Sequence, residues 1–221
     1  MCGRFVRISP IQVIKKRFRV KHVLPPSVPP SYNVAPNQVV IIITDLGQRN
    51  IVPSRWGFLP SWAKNMSIGN KMINARAETV TEKPAFRYAF KKQRCLIVAD
   101  GFYEWENRNY KKYPVYIKLK HGEPFGFAGL YNLWESPDRS MICTCTIITT
   151  VSNDLISPIH QRMPVIMPQD KEDLWLNSAI EDDQKLLPLL MPYPPEDMEL
   201  YHVTPRMNLP IYNHPENIAP I

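Results

Sequence analysis

Glycine is scarce in this chain, with 8 residues in 221 against 23 prolines. Proline fixes φ where glycine frees it, so that ratio argues for ordered loops and strand ends over flexible linkers. No run approaches the ~18 consecutive apolar residues of a membrane span. The opening MCGRFVRISP, broken by Arg4 and Arg7, lacks the apolar core of a secretory leader. A cytosolic, reducing setting is therefore expected. Cysteine is sparse too: Cys2, Cys95, Cys143 and Cys145. The last two lie two apart in the strand-like SMICTCTIITT, sharing one face without the C-x-x-C turn of a zinc site. They read as strand thiols, not as a disulfide framework or metal centre. Acid is the minority charge, 20 Asp+Glu against 27 Lys+Arg, for a net +7. That surplus suits a polyanionic partner without requiring one.

The residues that are abundant build a core. Hydrophobic residues make up 44% of the chain and aromatics 10%, and the length fits one domain spanning 1–221. SPIQVIKKRFRV predicts a helix with Ser9 as cap, Pro10 at its first position and Gln12 completing a capping box. Ile11, Ile14 and Phe18 form its apolar stripe. The proline-rich VLPPSVPPSYNVAP predicts an extended loop. KPAFRYAFKKQR predicts a second helix, and DKEDLWLN and DDQKLLPLLM short ones. QVVIIIT, RNIVPSRWGF, CLIVAD, GFYEWE, MICTCTIITT, RMPVIMP and MELYHVTPRMN read as strands. YPVYIKLKHGEPFGFAGLYNLW reads as a hairpin turning near His121-Gly122. Strands dominate and no βαβ rhythm appears, so the expected fold is one α+β domain of antiparallel, barrel-like sheets with flanking helices.

Cys2 is the first candidate for chemistry. Loss of Met1 would leave a residue carrying a free α-amine and a thiol on neighbouring carbons. An α-amine of pKa ~7.7–8.0 is roughly one-seventh neutral at pH 7, several hundred times the neutral fraction of a lysine. It is the natural imine-former, and the thiol can then close a five-membered thiazolidine with a trapped aldehyde. The alternative is a cysteine at position 2 by chance. In INARAET, an extended chain places Asn74, Arg76 and Glu78 on one face and Ala75 and Ala77 on the other, either as a lined cleft or as a plain exposed edge strand. Glu104, between Tyr103 and Trp105 with Phe102 nearby, is either a surface residue or an aromatic-walled acid/base of raised pKa. His160, on a loop before the strand near Met163, is either structural or a proton shuttle, and Arg162 is placed to meet a phosphate. Trp56 and Trp62 in RWGFLPSW are core lids or platforms for unpaired bases.

Taken in order and spacing, MCGRF, YNVAP, RWGFLPSW, NARAET, DGFYEW and HQRMPVI closely resemble the SRAP family. These SOS-response-associated peptidases sense abasic sites in single-stranded DNA. The resemblance implies a basic channel ending at Cys2, which forms a thiazolidine with the ring-opened sugar once Met1 is removed. It further implies that Asn74 positions the cysteine and sugar oxygen, that Glu104 is the acid/base, and that His160 assists Schiff-base chemistry and crosslink reversal. Arg4, Arg76 and Arg162 match phosphate-contacting positions, and the Trp56–Trp62 loop the part that meets bases beside the lesion. The expected partner is single-stranded DNA containing abasic sites, bound by a monomer that is nucleoid-associated on DNA, with no membrane, metal or cofactor. An N-terminal-nucleophile amidohydrolase and a basic nucleic-acid-binding module without chemistry are the rival readings.

Overall fold

The computed structural model describes residues 2–221. In chain order its elements are β1 (Phe5–Arg7), α1 (Ile11–Arg17), β2 (His22–Val23), β3 (Ser31–Val34), β4 (Val39–Asp45), β5 (Arg49–Trp56) and β6 (Asn74–Arg76). They continue with α2 (Arg87–Lys92), β7 (Arg94–Ala99), β8 (Gly101–Arg108), β9 (Lys111–Leu119), β10 (Phe125–Glu135) and β11 (Met141–Val151). The last are β12 (Arg162–Pro164), β13 (Ile166–Met167), α3 (Glu172–Leu176), α4 (Asp183–Leu186) and β14 (Met198–His202). None of the described helices is long and apolar enough to cross a membrane.

Two sheets carry the architecture. One runs β14-β9-β8-β1-β3. In the other, β11, β10, β7, β4 and β5 pair in succession, and a parallel contact of β5 with β11 at Arg55–Thr144 and Trp56–Cys145 closes the ring. The barrel strands alternate in what they bury, as a period of two dictates. Ile41, Ile43, Leu96, Val98, Leu130 and Ile148 pack under the helices with Ile14, Phe18, Phe90 and Trp175. The alternate residues Ile42, Ile97, Phe127, Cys145 and Ile147 join Cys2, Phe5, Phe102 and Ile117 in a second cluster. The seven residues of α1 are too few to hold a helix alone. Burial of Ile14 and Phe18, about 1.5–3 kcal/mol each, anchors it instead.

Three local expectations are corrected. The α1 cap is Pro10, with no side-chain capping bond. Ser9 is not a cap because its backbone N–H and hydroxyl both donate to Asp100 across the molecule. The proline-rich loop contains β3, whose residues SYNV follow the last consecutive prolines and pair with β1. The expected hairpin exists only as a turn at Gly122 (φ +65°). Strand β9 pairs with β8 and β14, while β10 pairs with β7 and β11, so the turn passes the chain from one sheet to the other.

Candidate active site

Strand β1 begins three residues after Cys2 and lies between β8 and β3. This pairing draws the start of the chain into the interior, where Cys2 has 0% exposure. The Asn74 side-chain amide donates to the Cys2 carbonyl at 2.9 Å. Asn74 is held there because β6 pairs in parallel with β11, Asn74 opposite Ile147. Its Oδ1 is buried with no hydrogen-bond partner, which leaves an acceptor available beside the cysteine.

Glu104 enters from β8 and is 2% exposed. Burial raises its carboxyl above the usual range, and the nearby His160 pulls the other way. Burial also drives the Cys2 thiol up, and the Glu104 charge adds to the effect. The two groups are therefore electrostatic neighbours, and a charge on Glu104 disfavours a thiolate at Cys2. The expected aromatic wall is only partly present. Strand alternation sends Tyr103 and Trp105 into a separate cluster with Val6 and Tyr116, and leaves Phe102 in the Cys2 cluster. General burial, not a wall of flanking aromatics, raises the carboxyl.

His160 is half-buried on the loop before β12. Its Nδ1 accepts the Arg162 backbone N–H at 3.0 Å and lies 3.1 Å from the Arg162 carbonyl oxygen. Arg76, His160 and Arg162 line one cleft, together with Ser157 and Gln161. The extended run through Arg76 ends sooner than its pattern suggests, because Ala77–Thr79 form a 3-10 turn. That turn aims Glu78 at Arg162, whose two terminal nitrogens each lie 3.0 Å from a carboxylate oxygen. This ion pair has no signature in the sequence, since its members are far apart in the chain.

The remaining candidates separate. Arg4 is buried at 9% exposure and donates to Asn33 Oδ1 at 2.7 Å and to the Met207 carbonyl at 3.1 Å. Its guanidinium ties the C-terminal segment to β3 and faces no open surface. Trp56 is fully buried and its indole donates to the Ile73 carbonyl at 2.8 Å, so it belongs to the core. Trp62 is 55% exposed. Its loop is seated where the backbones of Gly57 and Gly69 touch; a Cβ on Gly69 would stand 2.7 Å from the Gly57 oxygen. Among the described residues no cluster of His, Cys, Asp or Glu could hold a metal ion.

Fold and site define an α+β barrel protein in which a cysteine at the chain start meets an asparagine and a buried glutamate. The chain belongs to the SOS response associated peptidase (SRAP) family, whose model matches residues 1–210. It is 48% identical to the abasic site processing protein YoqW of Bacillus subtilis, with 99% of each chain covered. It is also 31% identical to the abasic site processing protein HMCES of Xenopus tropicalis, over 87% of this chain and 66% of the relative. A crystal structure of a protein from Bacteroides thetaiotaomicron superposes with a TM-score of 0.91 at 28% identity, covering 100% of both chains.

Proposed function

We propose that this protein captures abasic sites in single-stranded DNA by bonding the ring-opened sugar covalently to Cys2. The observation that carries the reading is the meeting of Cys2, Asn74 and Glu104 at one buried point. The names of the relatives, abasic site processing proteins, support the substrate.

The reactive form requires loss of Met1, a residue outside those described, to free the α-amine. That amine attacks the sugar aldehyde carbon, and the carbinolamine expels water to give an imine. The Cys2 sulfur then adds to the same carbon and its proton passes to the nitrogen. The resulting ring holds nitrogen, two cysteine carbons, sulfur and the former aldehyde carbon. An imine acidifies the adjacent sugar carbon and invites β-elimination of the DNA strand, so thiol closure preserves the strand. Glu104, kept protonated to higher pH than an ordinary glutamate, is suited to donate the proton to departing water. Asn74 holds the cysteine backbone in place. Arg76 and Trp62 are the exposed groups suited to phosphate and base contacts.

Incubated with an abasic single strand, the processed protein should give a heat-stable band on a denaturing gel, and none with undamaged DNA. Cys2→Ser should keep a weak, borohydride-trappable imine and lose the durable product. Mass spectrometry locating the DNA on another side chain, or a protein that retains Met1 reacting at full rate, would overturn the proposal. Turnover of amides without an aldehyde adduct would favour the amidohydrolase reading instead.

A further inference from the structure

The Glu78–Arg162 pair joins two arms of the site. Thr149 of β11 is opposite Arg76 of β6 on one edge and opposite Pro164 of β12 on the other. One arm carries Asn74 and Arg76, and the other His160 and Arg162. Glu78 follows the first arm and grips Arg162 on the second with two parallel hydrogen bonds, the geometry that makes carboxylate–guanidinium pairs directional. A third bond, from Arg162 Nη2 to the Thr149 carbonyl at 2.6 Å, ties the same guanidinium to the strand between them. The backbone of Arg162 in turn fixes the His160 ring through Nδ1.

We infer that Glu78 is a positioning residue: through Arg162 it clasps the two arms across the end of β11 and sets the orientation of His160. The inference deepens the proposed DNA chemistry and rests on it for its functional consequence. A bystander role for Glu78 makes a different forecast. A half-exposed carboxylate beside a phosphate-binding cleft would simply repel DNA, and its removal would tighten binding and leave the chemical step alone.

The test compares Glu78→Ala and Glu78→Gln with wild type in two measurements. The first is the nitrogen NMR signature of the His160 ring, which reports its tautomer without reference to DNA. Wild type should show a single well-defined ring signature, set by the contacts of Nδ1 with the Arg162 backbone. Glu78→Ala should show a mixture. The second is the crosslinking rate at saturating abasic single strand, alongside the affinity for undamaged strand. We expect the saturating rate of Glu78→Ala to fall about ten- to a hundredfold, as misplacement of a catalytic group by about 1 Å would cause. Affinity should be unchanged or tighter. Glu78→Gln, which keeps one acceptor oxygen, should lie between the two and guards against a folding defect in the alanine variant. An unaltered His160 signature in both variants, or a full saturating rate in Glu78→Ala, would overturn the inference. Failure of wild type to form any adduct would strike the proposed function, and the ring signature would still decide the clasp.

Discussion

A glutamate with 2% of its surface exposed is held at an electrostatic disadvantage whenever it ionises. For Glu104 the sign of the consequence is definite. Its carboxyl is raised in the folded protein, so the folded state keeps the proton at pH values where the unfolded chain has released it. Stability is thus lost as pH rises through the folded value. Replacing the group with glutamine removes that penalty while keeping the shape. Glu104→Gln should therefore melt above wild type at pH 8, with the difference shrinking toward pH 4. Its adduct formation should drop by about 10²–10⁴, the usual worth of a positioned acid or base. On the proposed mechanism the wild-type rate falls at high pH as Glu104 loses its proton, and that fall should vanish in the variant. A Glu104→Gln variant less stable than wild type at pH 8 would mean that attraction outweighs burial at this carboxylate, and its part as proton donor would fall with that result.

At the scale of elements, Arg94 does for the helices what β1 does for the cysteine. It sits at the start of β7 and donates to five backbone carbonyls: Phe90 and Lys91 at the end of α2, Trp175 and Asn177 at the end of α3, and Ile180 beyond it. Helix C-termini leave carbonyls without intrahelical partners, and one buried guanidinium satisfies two such ends. Arg94→Met should cost about 1–3 kcal/mol for each buried carbonyl left without a donor. Arg94→Lys, with three donors at one point, should recover only a fraction. Urea midpoints for the three proteins would check the order, and a lysine variant as stable as wild type would show that charge alone suffices. This staple also marks where sequence reading stops. Strands such as QVVIIIT and CLIVAD were legible because alternation and β-branched runs are local signals, and so was the apolar stripe of α1. The capping role assigned to Ser9 failed because Asp100 competes for it from across the fold. The supposed hairpin failed because strand partners are chosen by sheets that no single segment encodes. The choice between core lid and base platform for Trp56, and the burial of Arg4, were not legible because exposure is a property of the packed molecule.

Across the whole molecule, a net charge of +7 suits a polyanion such as DNA, but only cationic side chains that reach solvent can release counterions on binding. Arg76 is exposed at the cleft that holds His160, whereas Arg4 is buried under the C-terminal segment. The two should therefore fail in different ways. Arg76→Ala should leave the thermal midpoint within the small range usual for exposed positions, and lower the slope of log affinity against log salt by about 1. Arg4→Ala strips Asn33 and the Met207 carbonyl of a charged donor and should unfold more easily. The stable fraction that remains should keep the wild-type salt slope. Titrations of undamaged single strand at several salt concentrations, paired with melting curves, separate the cases. If Arg4→Ala shows the reduced slope at unchanged stability, then the N-terminal segment must rearrange on DNA to expose that guanidinium, and the buried arrangement of Cys2 would be a resting state.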